Sequence, residues 1–431
     1  MSLCDTGRVT DLVLRRCRLA DQPHLVDVAI GGGRISQIGP HLADAADELD
    51  AEGRLVAPAF VEPHYHLDKC FTGEESLELR TLDEYIAAEA ARKRRFTVDD
   101  VAERAGRVIE QLVANGVTRM RTQVDVDTSA ELHGFEGIQK AAERYRDLID
   151  IQLVAFPQQG IVQDPGSEEL LREAMRRGAT AIGGHPQLEI CRADSERHIA
   201  AVFDIAEEFD ADVDMHVDET DDPASTFIHD IAVETIRRGR QGRVACGHVC
   251  ALALYNPYYA TKVIELVRRA GITVITNPTS NLLFRALLDP EPRWRGLTRV
   301  RELLDAGVNV VFGQETVKST YIVTLRNPDP LLTAQILAHG AGMKSLADMD
   351  RLWLMMTSSA ARALSLPDYG LAVGCRADVN VLDAESPADA IASIAPRRWV
   401  LRKGRLVAET RVERQVVRGS QHVSMAPSHS A

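Results

Sequence analysis

The apolar and polar positions of this chain change rhythm twice. From residue 8 to 57 they mark short strands with turns between them. Asp11-Leu12-Val13-Leu14 is strand-like, Val26-Asp27-Val28-Ala29-Ile30 alternates, Gly31-Gly32-Gly33 turns the chain, and Ile35-Ser36-Gln37-Ile38 resumes. From residue 55 short apolar runs alternate with helical stripes. Eight of the runs are predicted as strands, at 55–61, 117–124, 150–156, 179–183, 211–217, 243–247, 272–276 and 308–313. The first, Leu55 to Val61, is apolar on both faces, as a parallel strand inside a barrel is. Thr97 is placed to cap a helix with the stripe Val101, Val108, Ile109, Leu112 and Val113, stopped by Gly116. Ser195 is placed to cap another, with the stripe Ile199, Val202, Phe203, Ala206 and Phe209, and Gly307 ends a third just before strand eight. Eight β-α units over about 300 residues predict a (β/α)8 barrel. The alternative, an open doubly wound sheet, usually carries a Gly-rich phosphate loop after its first strand, where this chain has His64-Tyr65-His66.

After residue 365 the strand pattern returns. Asp378 to Leu382 and Trp399-Val400-Leu401 read as strands, and Arg402-Lys403-Gly404-Arg405 as a hairpin turn before Leu406-Val407. The predicted organisation is an α/β chain. Segments 1–57 and 365–419 form a small β-sandwich, 58–364 form the TIM-like barrel, and 420–431, rich in Ser, His and Pro, form a disordered tail.

Composition narrows the function. The net charge of −13 and only 5% aromatic residues argue against binding nucleic acid through phosphates or base stacking. Seven cysteines, odd in number and without a disulfide framework, predict reduced thiols in a cytoplasmic protein. Cys246-x-x-x-Cys250 has no second pair to complete a zinc site. No basic segment followed by an apolar stretch opens the chain, which predicts no signal peptide, and no run of about 18 apolar residues predicts a membrane span.

In a barrel, the residues at the C-terminal ends of the strands face the active site. Strand one leads into Glu62-Pro63-His64-Tyr65-His66-Leu67-Asp68-Lys69. His64 and His66 are two apart, so on a strand both side chains point one way. Strand three ends in Gln158, strand five in Met215-His216-Val217-Asp218-Glu219, strand six in Gly247-His248, and strand eight in Gly313-Gln314-Glu315. Three neutral imidazoles and a carboxylate can hold one Zn2+ or Fe2+ and leave a position for water. The ion lowers that water's pKa from about 16 toward about 7. One carboxylate can then take its proton and a second deliver protons to the leaving amine or the ring, and Glu315 and Glu219 are the available pair.

These residues carry a resemblance. Phe60 to Asp68, Val154-Ala155-Phe156-Pro157-Gln158 and His216-Val217-Asp218-Glu219 resemble amidohydrolase-superfamily enzymes, and most closely the bacterial cytosine deaminases. Gly247-His248, Ala361 to Leu366, and Gly374 to Asp378 with Gly404 to Val407 match more weakly, and the likeness spans roughly residues 10 to 410. It implies a single iron or zinc ion at the barrel mouth, with His64, His66 and His216 as ligands and Glu315 in the place of the family's strand-eight Asp. It implies that His248 orients the hydroxide and that Glu219 shuttles protons to a ring nitrogen. Gln158 would hydrogen-bond the substrate's polar edge. The backbone at Leu82 would do likewise, on resemblance alone.

The departures bear on the substrate. Glu315 is one methylene longer than the family's Asp. Thr316 stands where the cytosine enzymes have an acid, Tyr321 where a Trp packs on the pyrimidine, and Gln123 where a His is common. Lys69 resembles the branch that hydrolyses N-alkylated aminotriazines. The expected function is metal-dependent hydrolytic deamination of a small nitrogen heterocycle. Its rivals are N-alkyl aminotriazine or amide/carbamate hydrolysis in the same site, and a binding protein of this fold without catalysis. The expected partners are a heterocyclic small molecule and further copies of the chain, with neither nucleic acid nor membrane.

Overall fold

The computed structural model describes residues 10–73, 82–284, 296–319, 327–418 and 421–424. Its centre is one eight-stranded parallel sheet whose spatial order is the chain order. The strands are Phe60–Tyr65, Val117–Asp125, Asp150–Phe156, Ala181–Gly184, Asp212–Val217, Val244–His248, Thr273–Thr276 and Asn309–Phe312. They are nearly all buried, because side chains fill the barrel on one face and helices cover the other. The first and last strands meet at a bridge between Tyr65 and Glu315, where the His66 N–H donates to the Glu315 carbonyl at 2.7 Å. The predicted (β/α)8 barrel is the observed fold.

The terminal segments form two four-stranded sheets. One comprises Leu12–Cys17, Val26–Gly31, Arg34–Gly39 and Asp47–Asp50. The other comprises Leu55–Pro58, Val379–Leu382, Arg397–Arg402 and Arg405–Glu409. Leu12, Leu14, Val28 and Ile30 of the first share one apolar core with Val56, Val379, Val381 and Leu401 of the second, as the expected sandwich requires.

Three local expectations are corrected. The run 55–61 is not one strand. Leu55–Pro58 pairs antiparallel with Val379–Leu382 in the sandwich, and Phe60–Tyr65 enters the barrel. Pro58 has no N–H with which to carry the ladder further, and Val56 belongs to the sandwich core while Leu55 and Ala57 belong to the barrel core. Ser195 does not cap its helix. That helix runs Arg192–Glu208 from Cys191, and the Ser195 hydroxyl instead donates to the Cys191 carbonyl at 3.2 Å. Within the tail expected to be disordered, Gln421–Ser424 pairs as a strand with Gln415–Arg418. Thr97 does cap Val98–Ala114, accepting from the Asp100 N–H, and Gly116 follows at φ +87°. Among the described residues no helix is long and apolar enough to cross a membrane.

Candidate metal-dependent active site

His64 lies on strand one, with His66 just past its end, so strand alternation aims both rings into the barrel mouth. Strand five brings His216 and strand six brings His248. All four residues are at most 2% exposed. Glu315 completes the group. Its two carboxylate oxygens stand 3.6 Å from His64 Nε2 and from His66 Nε2, and Oε2 is 3.7 Å from His248 Nε2. Ligand atoms of His64, His66, His216 and Glu315 all fall within 4.8 Å of one another.

The donor set fits a divalent cation. His66 Nε2 and His216 Nε2 face each other at 3.0 Å. Both ring nitrogens of His64, and Nδ1 of His66 and of His216, are buried without a hydrogen-bond partner. Such nitrogens are rarely left unsatisfied. Burial, and after it the neighbouring charges, hold these three imidazoles well below the usual histidine pKa, so their lone pairs are free. Burial, then the charge of Glu219, pushes the Glu315 carboxyl up to about 8. A cation among the four groups would satisfy the lone pairs and stabilise the carboxylate, and three nitrogens with one oxygen suit Zn2+ or Fe2+.

Glu62 braces the cluster from below. Its carboxylate accepts from the His64 N–H at 3.0 Å, the Gln314 N–H at 3.3 Å and Gln314 Nε2 at 2.7 Å, lacing strand one to strand eight. Burial pushes it up to about 8. Several strand-end residues here are non-glycine at positive φ: Asp218 at +50°, His248 at +69°, Val249 at +50° and Glu315 at +74°. Backbone held in this sparsely populated region is a recurrent property of functional sites.

Glu219 stands between two histidines. One carboxylate oxygen is 3.6 Å from His248 Nδ1 and the other 3.8 Å from His185 Nε2. Its position depends on Asp218, a buried carboxylate that accepts from Ser225 Oγ at 2.7 Å, from the Phe227 and Ile228 N–H groups at 2.9 Å, and from Tyr255 Oη at 3.2 Å. Asp218 thereby caps the helix Phe227–Arg237 and pins the loop that carries Glu219. Asp218→Ala is expected to cost about 3 kcal/mol in urea denaturation, because it strands buried donors, and to lower turnover by displacing Glu219. A variant as stable as the parent would disprove the anchor.

Gln158 is held at both ends of its amide. Lys69 Nζ donates to Oε1 at 2.6 Å, and Nε2 lies 3.2 Å from His185 Nδ1. Lys69 also meets Asp125 at 2.9 Å, and Lys93 meets Asp125 at 2.7 Å and Asp127 beside it. Burial works against the charge of Lys93, but Asp125 and Asp127 outweigh it and raise its pKa. The lysine expected from the aminotriazine resemblance is thus placed at the mouth, against Gln158.

The other expected substrate contacts divide. Thr316 has its hydroxyl 3.4 Å from Cys70 Sγ. Leu82 opens the helix Leu82–Lys93. Tyr321 lies outside the described residues. Gln123 is buried and accepts from the Tyr65 N–H at 3.1 Å, so it steadies strand one. Sequence reasoning passed over His185, Asn277 and Asn281. His185 directly follows strand four. Asn277 follows strand seven, and its Nδ2 lies 3.2 Å from His248 Nε2, while Asn281 Nδ2 lies 3.0 Å from His248 Nδ1. The strand-end rule, applied to strands four and seven as well, points to His185 and Asn277.

Comparison with known proteins identifies the family. The model of the amidohydrolase family matches residues 73–418. The N-isopropylammelide isopropyl amidohydrolase of Pseudomonas sp. (strain ADP) is 30% identical over 414 residues, covering 93% of this chain and 98% of that protein. The pterin deaminase of Rhizobium rhizogenes is 28% identical over 392 residues, covering 88% and 87%. The crystal structure of 5-methylcytosine deaminase from Klebsiella pneumoniae, liganded with 5-fluorocytosine, superposes with a TM-score of 0.89 at 35% identity, covering 93% of this chain and 98% of that one. With a closed barrel, a buried three-histidine, one-glutamate cluster at its mouth and a match across most of its length, the chain belongs to the amidohydrolase family, as a hydrolase acting on C–N bonds.

Proposed function

We propose that this enzyme hydrolytically deaminates a small nitrogen heterocycle, a cytosine-like pyrimidine or a related amino-heterocycle, with one zinc or iron ion held by His64, His66, His216 and Glu315. A bound ion supplies Lewis acidity, which lowers the pKa of a coordinated water from about 16 toward about 7. Glu315 would take a proton from the attacking water. Glu219 delivers a proton to the ring nitrogen beside the carbon under attack, and His248, held between Asn277 and Asn281, orients the attacking oxygen. Glu315 then passes the proton it took to the amino group as the C–N bond breaks, the proton on the added hydroxyl restores Glu219, and the amine leaves neutral with the ring intact. The observation that carries this reading is the pair of carboxylates on two sides of His248, Glu219 at 3.6 Å and Glu315 at 3.7 Å, beside three imidazoles suited to a metal. Two groups able to exchange protons across one reacting carbon are what deamination needs.

Lys69 favours a second reading, removal of an alkylamine from a triazine, because it stands against Gln158 at the mouth and a relative with that activity in its name is 30% identical. The test is a screen of amino-pyrimidines, pterins and N-alkyl aminotriazines with zinc- and iron-loaded protein. Release of ammonia, or of alkylamine, with an intact ring distinguishes the two readings. A cleaved amide indicates the hydrolysis of amides or carbamates, and full metal content with no turnover a binding protein. His64→Ala is expected to lower bound metal well below one per chain and to remove turnover. Unchanged metal content in that variant would refute the ligand set.

A further inference from the structure

We propose that Lys93 is a positioning residue: through Asp125 it aims the Lys69 ammonium at the side-chain carbonyl of Gln158. This role rests on the functional reading above and takes Gln158 as the contact with the substrate's polar edge.

The row of charges begins on a helix. Lys93 lies in the last turn of Leu82–Lys93, where the helix end favours a cation. It is 1% exposed, and Asp125 and Asp127 are 0% exposed. Its Nζ meets Asp125 Oδ2 at 2.7 Å and also Asp127 Oδ2. The other oxygen of Asp125, Oδ1, stands 2.9 Å from Lys69 Nζ. Lys69 Nζ in turn donates to Gln158 Oε1 at 2.6 Å and lies 5.6 Å from the centre of the Phe156 ring. Burial works against the Asp125 carboxylate, but Lys69 and Lys93 outweigh it and hold it below the usual carboxylate range. A buried ion pair is seldom more stable than well-packed apolar side chains of the same volume, so stability gives little reason for this row.

The backbone that carries Lys69 is fixed separately. Arg104 Nη1 donates to the Asp68 and Cys70 carbonyls at 2.6 and 2.7 Å, and Thr72 Oγ1 donates to the Lys69 carbonyl at 2.7 Å. What stays adjustable is the direction of a flexible stem, and the charges around its ammonium set that direction. With Lys93 on Oδ2 of Asp125, Lys69 is confined to Oδ1, within reach of Gln158. Without Lys93, both oxygens of Asp125 and the carboxylate of Asp127 draw on Lys69, and their attraction exceeds that of a neutral amide oxygen. Lys69 then leaves Gln158, whose amide loses the partner that orients it toward His185 Nδ1, 3.2 Å away.

The test compares zinc-loaded protein of the parent chain, Lys93→Met, Lys93→Arg, and Lys93→Met combined with Asp127→Asn. The double variant removes the cation together with one carboxylate, so the balance of charge is kept, and Asn retains the oxygen that accepts from the Ser129 and Ala130 N–H groups. For each protein, kcat and KM for cytosine and for N-isopropylammelide, urea stability and bound metal are measured, and a crystal structure gives the distance from Lys69 Nζ to Gln158 Oε1. Lys93→Met is expected to be less stable, to raise KM about 10-fold with a smaller change in kcat, and to lengthen that distance beyond about 3.5 Å. The double variant is expected to recover stability while KM stays raised. Lys93→Arg, whose fork can hold both carboxylates, is expected to restore KM. Bound metal is expected to stay at the parent level, since neither Lys93 nor Asp127 is among the groups that suit an ion. A double variant whose KM returns with its stability would show that Lys93 only balances charge. A Lys69 that stays on Gln158 without Lys93, or an unchanged KM for a probe that is hydrolysed, would equally overturn the proposal. Should Lys93→Met fail to fold, the double variant and Lys93→Arg decide. Failure of the functional reading is a different result: neither probe is hydrolysed by any of the proteins, while Lys69 still leaves Gln158 in the crystals of the variants that lack Lys93.

Discussion

Glu315→Gln is expected to abolish turnover, a loss of about 10²- to 10⁴-fold, the scale of a general base, while Glu315→Asp retains or raises it. The carboxylate lies within 3.7 Å of His64, His66 and His248 and belongs to the group that suits a metal. Gln keeps its shape and removes its charge, so it loses both a ligand and the proton acceptor. The Asp variant tests geometry. Shortening the side chain by one methylene moves the carboxylate by roughly 1.5 Å if the backbone stays in place, and displacements near 1 Å can cost about 10² at a catalytic centre. Glu315, however, occupies the left-handed region at φ +74°, which Asp tolerates better than Glu. The shorter residue therefore eases the backbone where it shifts the carboxylate. Steady-state kinetics with metal analysis on both variants decides the matter. Full activity in the Gln variant would place the base elsewhere.

Glu219→Gln is expected to keep its metal and lose on the order of 10²-fold or more in kcat. Glu219 is not one of the four groups that converge as ligands. It lies beyond them, its oxygens 3.6 Å from His248 and 3.8 Å from His185, on a loop anchored by Asp218. Removing its proton thus affects transfer to the substrate and leaves the ligand cluster intact. Loss of metal with the rate preserved would show that it is a ligand after all. Because the charge of Glu219 acts on Glu315, the double variant is expected to lose less than the two single effects combined.

Much of this architecture is legible in the residues themselves. The alternation of apolar runs with capped amphipathic stripes implies eight β-α units, and a barrel follows because strands apolar on both faces need helices outside and side chains inside. His64, His66, His216, His248 and Glu315 are found by counting strand ends, since strand period and chain order alone bring them to one mouth. What the sequence could not settle are the outcomes of packing between distant segments. Leu55 to Val61 reads as one strand, yet two cores compete for it and Pro58 divides it between them. Gln158 is legible as the end of strand three, but that Lys69 and His185 arrive from other strands and engage both ends of its amide is not. Asn281, four residues past Asn277 on a helix after strand seven, has no signal in its position along the chain, and only the curvature of the closed barrel carries it to His248. Local pattern determined which elements form and which residues end them. The closure of the sheet decided which of those ends touch, because each contact depends on the twist and stagger of all eight strands together.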